Sequence, residues 1–453
     1  MVASQLQLDA VGGAGADAAA EQMTALESLV RRAVREQPVW DFHTHLYPPS
    51  FGTPFSGAAD GADPKGLMLW GIDELLTYHY LVAEVFRVVP ARQLPYGDFW
   101  RMTKKEQADH IWKHLFLERS PISEACRGVL TTLQRLGLDP GDRDLQGYRG
   151  WFAQQDPNRQ IDRVMEIAGV SRITMTNAVF DDNERQRWLE NQDVGADSRF
   201  AAVLRFDPLL CDWPHAAARL TEWGYPVGPT LDDDGVEQGR RFLRDWISRT
   251  RAIYCAVSLP PEFLYDGMED SRISSQVLRR IVAPVLEETN LPLALMIGSK
   301  RGVNPQLRDG GDMVGLADVA SVARICADLP RNRLFCTMLA RENQHELAVA
   351  ARKFGNLMVF GCWWFVNNPS LIDEITRMRV ELLGVSFIPQ HSDARVLDQL
   401  IYKWDHSREL IANVLVDKYR DVAVTGWRPT EAEIRRDVRL YFHDNMANFL
   451  ASP

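Results

Sequence analysis

Two histidines one residue apart, His43 and His45 in Asp41-Phe42-His43-Thr44-His45, carry the strongest chemical signal in the sequence. They follow a short apolar run, Pro38-Val39-Trp40, that reads as the start of a buried strand. Side chains alternate faces along an extended segment, so positions i and i+2 point the same way. Two imidazoles therefore stand side by side at the strand's end. Neutral imidazole is a common nitrogen ligand for divalent metals, and one carboxylate from elsewhere would complete an open catalytic site. The plain alternative is a pair of histidines hydrogen-bonded to loop carbonyls.

Asp393 is the candidate carboxylate. It lies in Gln390-His391-Ser392-Asp393-Ala394-Arg395, behind the last strand-like run of the chain. Two imidazoles, one carboxylate and a water suit Zn2+ or a similar ion. Asp393 is also well suited to cap a helix starting near Arg395. His391 is read as a support beside the metal rather than a ligand. Arg205, at the end of Val203-Leu204-Arg205, is placed to clamp a substrate carboxylate, with pairing to Asp207 or Asp393 as the structural alternative. Lys300, Arg301 and Arg341 follow later strand-like runs and add cationic groups. Of Trp363 and Trp364, adjacent in sequence, one is expected to face the site and stack on a sugar ring while the other packs the core. His79 and Tyr80 are candidates for proton transfer, with packing as the ordinary reading. His110 and His114 share one helix face, but Ile111 stands where a zincin glutamate belongs. No nucleophile elbow, P-loop or Cys-His signature occurs, and Asp309-Gly310-Gly311-Asp312 reads as a turn.

What must position these residues is a repeating scaffold. Short apolar, β-branched runs recur at Val39–Phe42, Arg172–Thr176, Ala201–Phe206, Ala252–Val257, Leu293–Ile297, Leu334–Met338, Leu357–Gly361 and Leu383–Phe387. Most are continuously hydrophobic, as strands covered on both faces of a parallel sheet must be. Amphipathic helical patterns separate them from the second run onward. Eight such units predict an α/β fold, a (β/α)8 TIM barrel, whose eighth strand neighbours its first. That closure would bring Asp393 to His43 and His45. The stretch 50–165 is far longer than an ordinary βα connection and is rich in helical patterns, so it is expected to be a helical lid inserted after strand 1. The organisation expected is a flexible tail over 1–20, the barrel start over 21–49, that lid, and the rest of the barrel with C-terminal helices over 166–453.

Composition narrows the class further. At 453 residues with a formal charge of -10, the chain has length for a large core and no excess of cations for a nucleic-acid partner. Arg31, Arg32 and Arg35 read as a solvated helix face. The six cysteines are scattered without a C-x-x-C pair, which suits a reducing compartment. No apolar run approaches the roughly 18 residues of a membrane span, and the Ala/Gly-rich start lacks an export signal. A cytoplasmic protein is expected, with neither membrane nor nucleic acid as partner.

Taken in order, Asp41-Phe42-His43-Thr44-His45-Leu46, His79-Tyr80, Met296-Ile297-Gly298-Ser299, Gly361-Cys362-Trp363-Trp364-Phe365, Ser392-Asp393-Ala394-Arg395 and the late Asn445-Met446-Ala447-Asn448-Phe449 resemble the uronate isomerase (glucuronate isomerase) family, a branch of the metal-dependent amidohydrolase superfamily. The resemblance runs from about Pro38 to Leu450. It implies that His43, His45 and Asp393 hold one divalent metal, most simply Zn2+. It also implies that Tyr80 and Arg395 belong to the reaction centre with Asp393, and that one of Trp363 and Trp364 lines the sugar pocket; His79 joins the catalytic candidates, and Arg205, Lys300 and Arg301 the candidates for substrate contact, on their positions. Met296 stands where many relatives carry a histidine, so a single-metal site is expected. The implied activity is aldose–ketose isomerisation of D-glucuronate to D-fructuronate, and of D-galacturonate to D-tagaturonate as a second reaction, by proton transfer from C2 to C1. The implied partners are a small hexuronate and further copies of the same chain. Two alternatives use the same residues: a mononuclear hydrolase of a lactone or amide, and a non-catalytic sugar-acid binder.

Overall fold

The structure is a computed structural model, and it describes residues 21–54, 63, 65–191 and 193–452. The tail expected over 1–20 lies outside the described residues. Among the described residues nine strands occur in chain order: β1 (Val39–Thr44), β2 (Val170–Ala178), β3 (Phe200–Arg205), β4 (Cys255–Leu259), β5 (Leu293–Ile297), β6 (Ser299–Lys300), β7 (Met313–Val314), β8 (Leu334–Met338) and β9 (Leu357–Val359). Seven form one parallel sheet in the order β1-β2-β3-β4-β5-β8-β9, and β6 pairs only with β7, antiparallel. Every residue of β5 and β8 is buried, as expected for strands sandwiched between helices and a filled interior.

The eighth strand expected at Leu383–Phe387 is not a strand. Leu383 instead ends the helix Pro369–Leu383, and Gly384 follows at a φ of 60°. The chain then touches the sheet through a single parallel bridge, Ile388 to Phe360. A few backbone hydrogen bonds and several from side chains complete that seam. Gln390 Oε1 accepts from the Cys362 N–H at 2.8 Å, and Asp41 Oδ1 accepts from the Ser392 N–H at 3.1 Å. Asn445 Nδ2 donates to the carbonyls of Val385 and Phe387. Pro389, which has no N–H to give, interrupts the ladder. The barrel is therefore a curled sheet closed by an irregular, side-chain-stitched segment. β4 also begins three residues later than its apolar run, at Cys255.

The barrel's interior is a packed plug. Phe42 from β1 stacks on Tyr254 at 4.9 Å and approaches Phe360 at 4.3 Å and Phe335 at 4.7 Å between ring centroids. The Tyr254 hydroxyl donates to the Phe42 carbonyl at 2.7 Å. This floor fixes β1 directly beneath the two histidines, and emptying one such aromatic position costs about 3–5 kcal/mol.

Between β1 and β2 run the helices Ile72–Leu76, His79–Val88, Tyr96–Arg101, Lys104–Ile111, Glu124–Arg135, Leu145–Phe152 and Pro157–Ala168. Their starts follow local chemistry. Thr103 and Glu106 form a capping box, the Ser123 side chain caps the next helix, and Asp156 caps a helix with Pro157 at its first position. The group docks on the long helix Gln399–Val424, where Gly128 sits so close to Tyr402 that a Cβ would lie 2.7 Å from its ring. His110 and His114 stack at 5.9 Å, and His114 pairs with Glu118, an ordinary helix-surface arrangement. No helix among the described residues is long and apolar enough to cross a membrane. The six cysteines are all free thiols, with Cys211 the exposed one.

Candidate metal centre and active site

β1 delivers His43 and β2 orients it. Thr176 Oγ1 lies 3.1 Å from His43 Nδ1, which turns Nε2 of the same ring toward the barrel mouth. Asp393 Oδ1 is 3.7 Å from His43 Nε2 and 3.5 Å from His45 Nε2. The three side chains offer ligand atoms that all lie within 4.8 Å of one another. Asp393 does not cap a helix: Gln399–Val424 begins after Asp398. Its backbone is instead held in the left-handed region at a φ of 51°, which a non-glycine residue adopts only under external constraint. That constraint is visible. The Asp393 N–H donates to the His43 carbonyl at 3.1 Å, and the His45 N–H donates to the Ala394 carbonyl at 2.8 Å. Asp41 anchors the preceding residue through Ser392 and is itself fixed by the Trp404 indole N–H at 2.8 Å.

The electrostatics suit a cation. Burial, and then the neighbouring His45, push the His43 imidazole down to about 3. Burial, followed by the charges of Arg395 and Arg205, holds His45 well below the usual imidazole range. Both rings are thus neutral at physiological pH, with lone pairs available. Asp393 Oδ1 is buried and has no hydrogen-bond partner. An orphaned carboxylate oxygen facing two neutral imidazole nitrogens is a costly arrangement without a cation and a suitable one with a divalent ion. The donor set fits the metal. His391, wholly buried, packs edge-on against His43 at 5.5 Å, and neither of its ring nitrogens has a partner. β5 contributes the buried Ala294 and Met296 to the plug, and no histidine.

The cationic residues divide into committed and exchangeable groups. Arg205 forms a forked pair with Asp207, its Nε 2.9 Å from both carboxylate oxygens, and Asp207 also accepts the Ser258 N–H. This is the structural alternative weighed for Arg205. Arg301 pairs with Asp312 and lies over the Trp364 ring at 5.4 Å. Lys300 is exposed on β6. Arg341 pairs with Glu374 at the surface. Arg395 holds a single carboxylate, Asp309, at 3.1 Å.

From the helical insertion, His79 reaches the Trp364 ring at 5.8 Å between centroids, and its Nε2 is buried without a partner. Burial, then Arg395 and Lys403, keep that imidazole well below its usual range. Tyr80 stacks near Phe365 at 6.4 Å, and burial raises its phenol well above the ordinary value. Trp363 and Trp364 are both buried, and Trp364 is the one that meets His79 and Arg301. The sequence reading passed over Lys403, buried at 5.8 Å over the Tyr80 ring, and Asp41, Thr176 and Asp309. Asp41 was visible two residues before His43. Asp309 was read only as part of a turn, and Lys403 and Thr176 carry no local pattern that marks them.

No protein-family model matches the chain, and no curated protein does. Among solved structures, a uronate isomerase from Bacillus halodurans superposes with a TM-score of 0.88 at 51% identity, over 95% of this chain and 97% of the other. A uronate isomerase from Thermotoga maritima shares the fold at 15% identity and a TM-score of 0.70, over 95% of this chain and 97% of that one. A glucuronate isomerase from Caulobacter crescentus does so at 17% identity and 0.70, over 95% and 94%.

Proposed function

The chain belongs to the uronate isomerase family, and from that premise we propose that it interconverts D-glucuronate and D-fructuronate, with D-galacturonate to D-tagaturonate as a second reaction. The net change moves the C2 hydrogen of the open-chain aldose to C1 and the O2 hydroxyl proton to O1. His43, His45 and Asp393 would hold one divalent ion, Zn2+ on the evidence of two nitrogen donors and one oxygen. Bound there, the ion would supply Lewis-acid stabilisation to negative charge developing on the sugar oxygens.

The chain's own residues supply the rest. Burial keeps the Tyr80 phenol protonated, so Tyr80 is cast as a hydrogen-bond donor to a sugar oxygen. His79 presents an unpartnered neutral Nε2 and is the corresponding acceptor. Arg395, with one exposed and exchangeable carboxylate, is the receptor for the sugar's own carboxylate. Arg205, locked on Asp207, contributes field rather than a free fork. Trp364 offers an apolar wall between His79 and Arg301, with Trp363 packed behind it. The helices of residues 50–165 act as a lid that keeps water from the reacting centre. Free thiols accord with a cytoplasmic location, and assembly of identical chains is part of the same reading.

The observation that carries the assignment is the approach of Asp393 Oδ1 to within 3.7 Å and 3.5 Å of two imidazole nitrogens from the opposite end of the chain. The test incubates metal-loaded and chelated protein with glucuronate in D2O. Ketose carrying deuterium at C1, formed only with metal and lost in Asp393→Asn, supports proton transfer at this site. Ketose without label would move the mechanism to hydride transfer or a shielded proton. Absence of ketose would overturn the isomerase reading.

A further inference from the structure

The long helix Gln399–Val424 carries a lysine that no ion pair explains. Its first turn is tied to the closing segment, since Gln399 Oε1 accepts the N–H groups of Arg395 and Val396 at 2.9 Å and 3.1 Å. Lys403 stands four residues on, hence on the same helix face. Only 2% of it is exposed. Its Nζ lies 5.5 Å from the centre of the Tyr402 ring and 5.8 Å from that of Tyr80. Tyr402 is pinned in turn against Gly128 of the helix Glu124–Arg135. Packing of the two helices thus presses a cation against the ring of a residue cast in the reaction.

Desolvating an ammonium is costly unless a counter-ion offsets the cost, so a buried lysine ordinarily has a carboxylate beside it. Lys403 has none within ion-pair distance among the described residues. Glu124 feels its charge at longer range: burial raises that carboxyl above its usual range, and Lys403 is the first charge to oppose the rise. The field spreads to both sides of the lysine. Burial and then Lys403 push the His406 imidazole down to about 3, and Lys403 follows burial and Arg395 among the influences on His79. Around Tyr80, burial is the first influence that opposes ionisation. Tyr78 on its own helix, Asp393 of the closing segment, Glu124 and Tyr402 act the same way. Glu84, one turn along from Tyr80, is engaged by the Ser123 hydroxyl. Against them Lys403 is the one cation over the Tyr80 ring among the described residues. A cation within about 6 Å of an aromatic face is attracted to it, and more strongly as the phenol gains negative charge.

We propose that Lys403 is a positioning residue for Tyr80: its unneutralised ammonium, held against the ring, aims the phenol at the sugar and strengthens its O–H as a hydrogen-bond donor. The proposal rests on the uronate reading of the site. Negative charge grows on the sugar oxygens as the C2 hydrogen leaves, and the phenol shares its proton most fully at that moment. A cation on the ring offsets the electron density that this leaves on Tyr80. Lys403 acts through Tyr80 and touches no substrate atom, because its Nζ faces two aromatic rings. Neither residue gains or loses a proton over a full turnover.

The test compares the wild-type holoenzyme with Lys403→Met, Lys403→Arg, Tyr80→Phe and the double variant of Lys403→Met with Tyr80→Phe, and uses Lys403→Gln as a second uncharged form. Methionine keeps the apolar stem, and deleting an unpaired buried charge removes its desolvation cost, so Lys403→Met is expected to melt at or above wild type. Its kcat on glucuronate should fall about tenfold with KM changed by less than about twofold, and Lys403→Arg should recover most of the loss. In the Tyr80→Phe background Lys403→Met should alter kcat by less than about twofold, because the hydroxyl it acts through is gone. A readout without turnover comes from a fluorinated tyrosine installed at position 80, more acidic than the native phenol, with its phenolate absorbance followed against pH. Lys403→Met should move that midpoint up by about one pH unit, and Lys403→Arg should leave it near wild type. Equal kcat losses in the two backgrounds, a loss in KM alone, or an unmoved midpoint would overturn the proposal. If wild type forms no ketose, the isomerase reading fails, while the fluorotyrosine titration still decides whether Lys403 acts on Tyr80.

Discussion

Glu184 gives a pH dependence whose sign can be worked out in advance. It is almost fully buried; its Oε2 accepts the Tyr47 hydroxyl at 2.9 Å, and its Oε1 has no partner. Burial pushes its carboxyl up to about 8, against partial relief from the Tyr47 and Asn177 side chains, and Asp181 at the helix cap adds to the rise. A raised carboxyl means the folded state holds a proton that the unfolded chain releases near the ordinary value of 4.5. The associated stability is fully present below that value and is lost as pH climbs through about 8. The interval corresponds to roughly 4–5 kcal/mol at 1.36 kcal/mol per pH unit, an upper bound that relaxation reduces. Glu184→Gln keeps the shape and the acceptor for Tyr47 but cannot ionise, so its stability relative to wild type should grow by about 2–4 kcal/mol between pH 5 and 8.5. For a chain this long that is roughly 2–4 °C in Tm. The assay is thermal unfolding of metal-free wild type and variant across that range, followed by tryptophan fluorescence. Parallel curves, with a constant difference at every pH, would refute the buried-acid argument.

Three further outcomes follow from named contacts. Gly361→Ala should cost about 3 kcal/mol or more, because the residue sits at φ 62° and a Cβ would fall 1.7 Å from His391 Nδ1; a melting temperature within a degree of wild type would contradict this. Asp41→Asn can accept from only one of its two donors, Ser392 N–H and Trp404 Nε1, so about 2 kcal/mol of stability and about tenfold in cobalt or zinc affinity should be lost, read by unfolding and by metal titration of the apo protein. Tyr80→Phe should lower kcat by about 10–100-fold with a smaller change in KM, and an unaltered kcat would remove the phenol from the reaction.

Much of the scaffold was legible because it is written in local patterns. Runs such as Leu293–Ile297 and Leu334–Met338 are continuously apolar, and the strands observed there have the bounds their hydrophobicity implies. The meeting of His43, His45 and Asp393 was also legible, since barrel closure puts the end of the chain's eighth unit beside its first strand. The eighth unit itself was misread as a strand. Several of its backbone groups are satisfied by the Gln390, Asp41 and Asn445 side chains, and periodicity carries no trace of such pairing. The choice between a clamp and an ion pair for Arg205 stayed open in the sequence for a comparable reason: its forked pair with Asp207 is a geometric fact, indistinguishable in sequence from two unrelated charges.

The misread segment explains why the site can exist. A regular eighth strand would run its residues through the extended region and alternate their side chains across the sheet. Asp393 instead sits at φ 51°, where its carboxylate turns toward the two imidazoles while its N–H still reaches the His43 carbonyl. Holding an aspartate there costs about 1–3 kcal/mol, and the buried Asp41 carboxylate, joined to Ser392 and Trp404, is among the contacts that offset it. The same chain segment thus gives up a ladder of backbone hydrogen bonds and gains a ligand pointed inward. On this argument Asp41→Asn should weaken metal binding even in conditions where the barrel remains fully folded, and a variant that loses stability while keeping wild-type metal affinity would show that Asp393 is held by its other contacts alone.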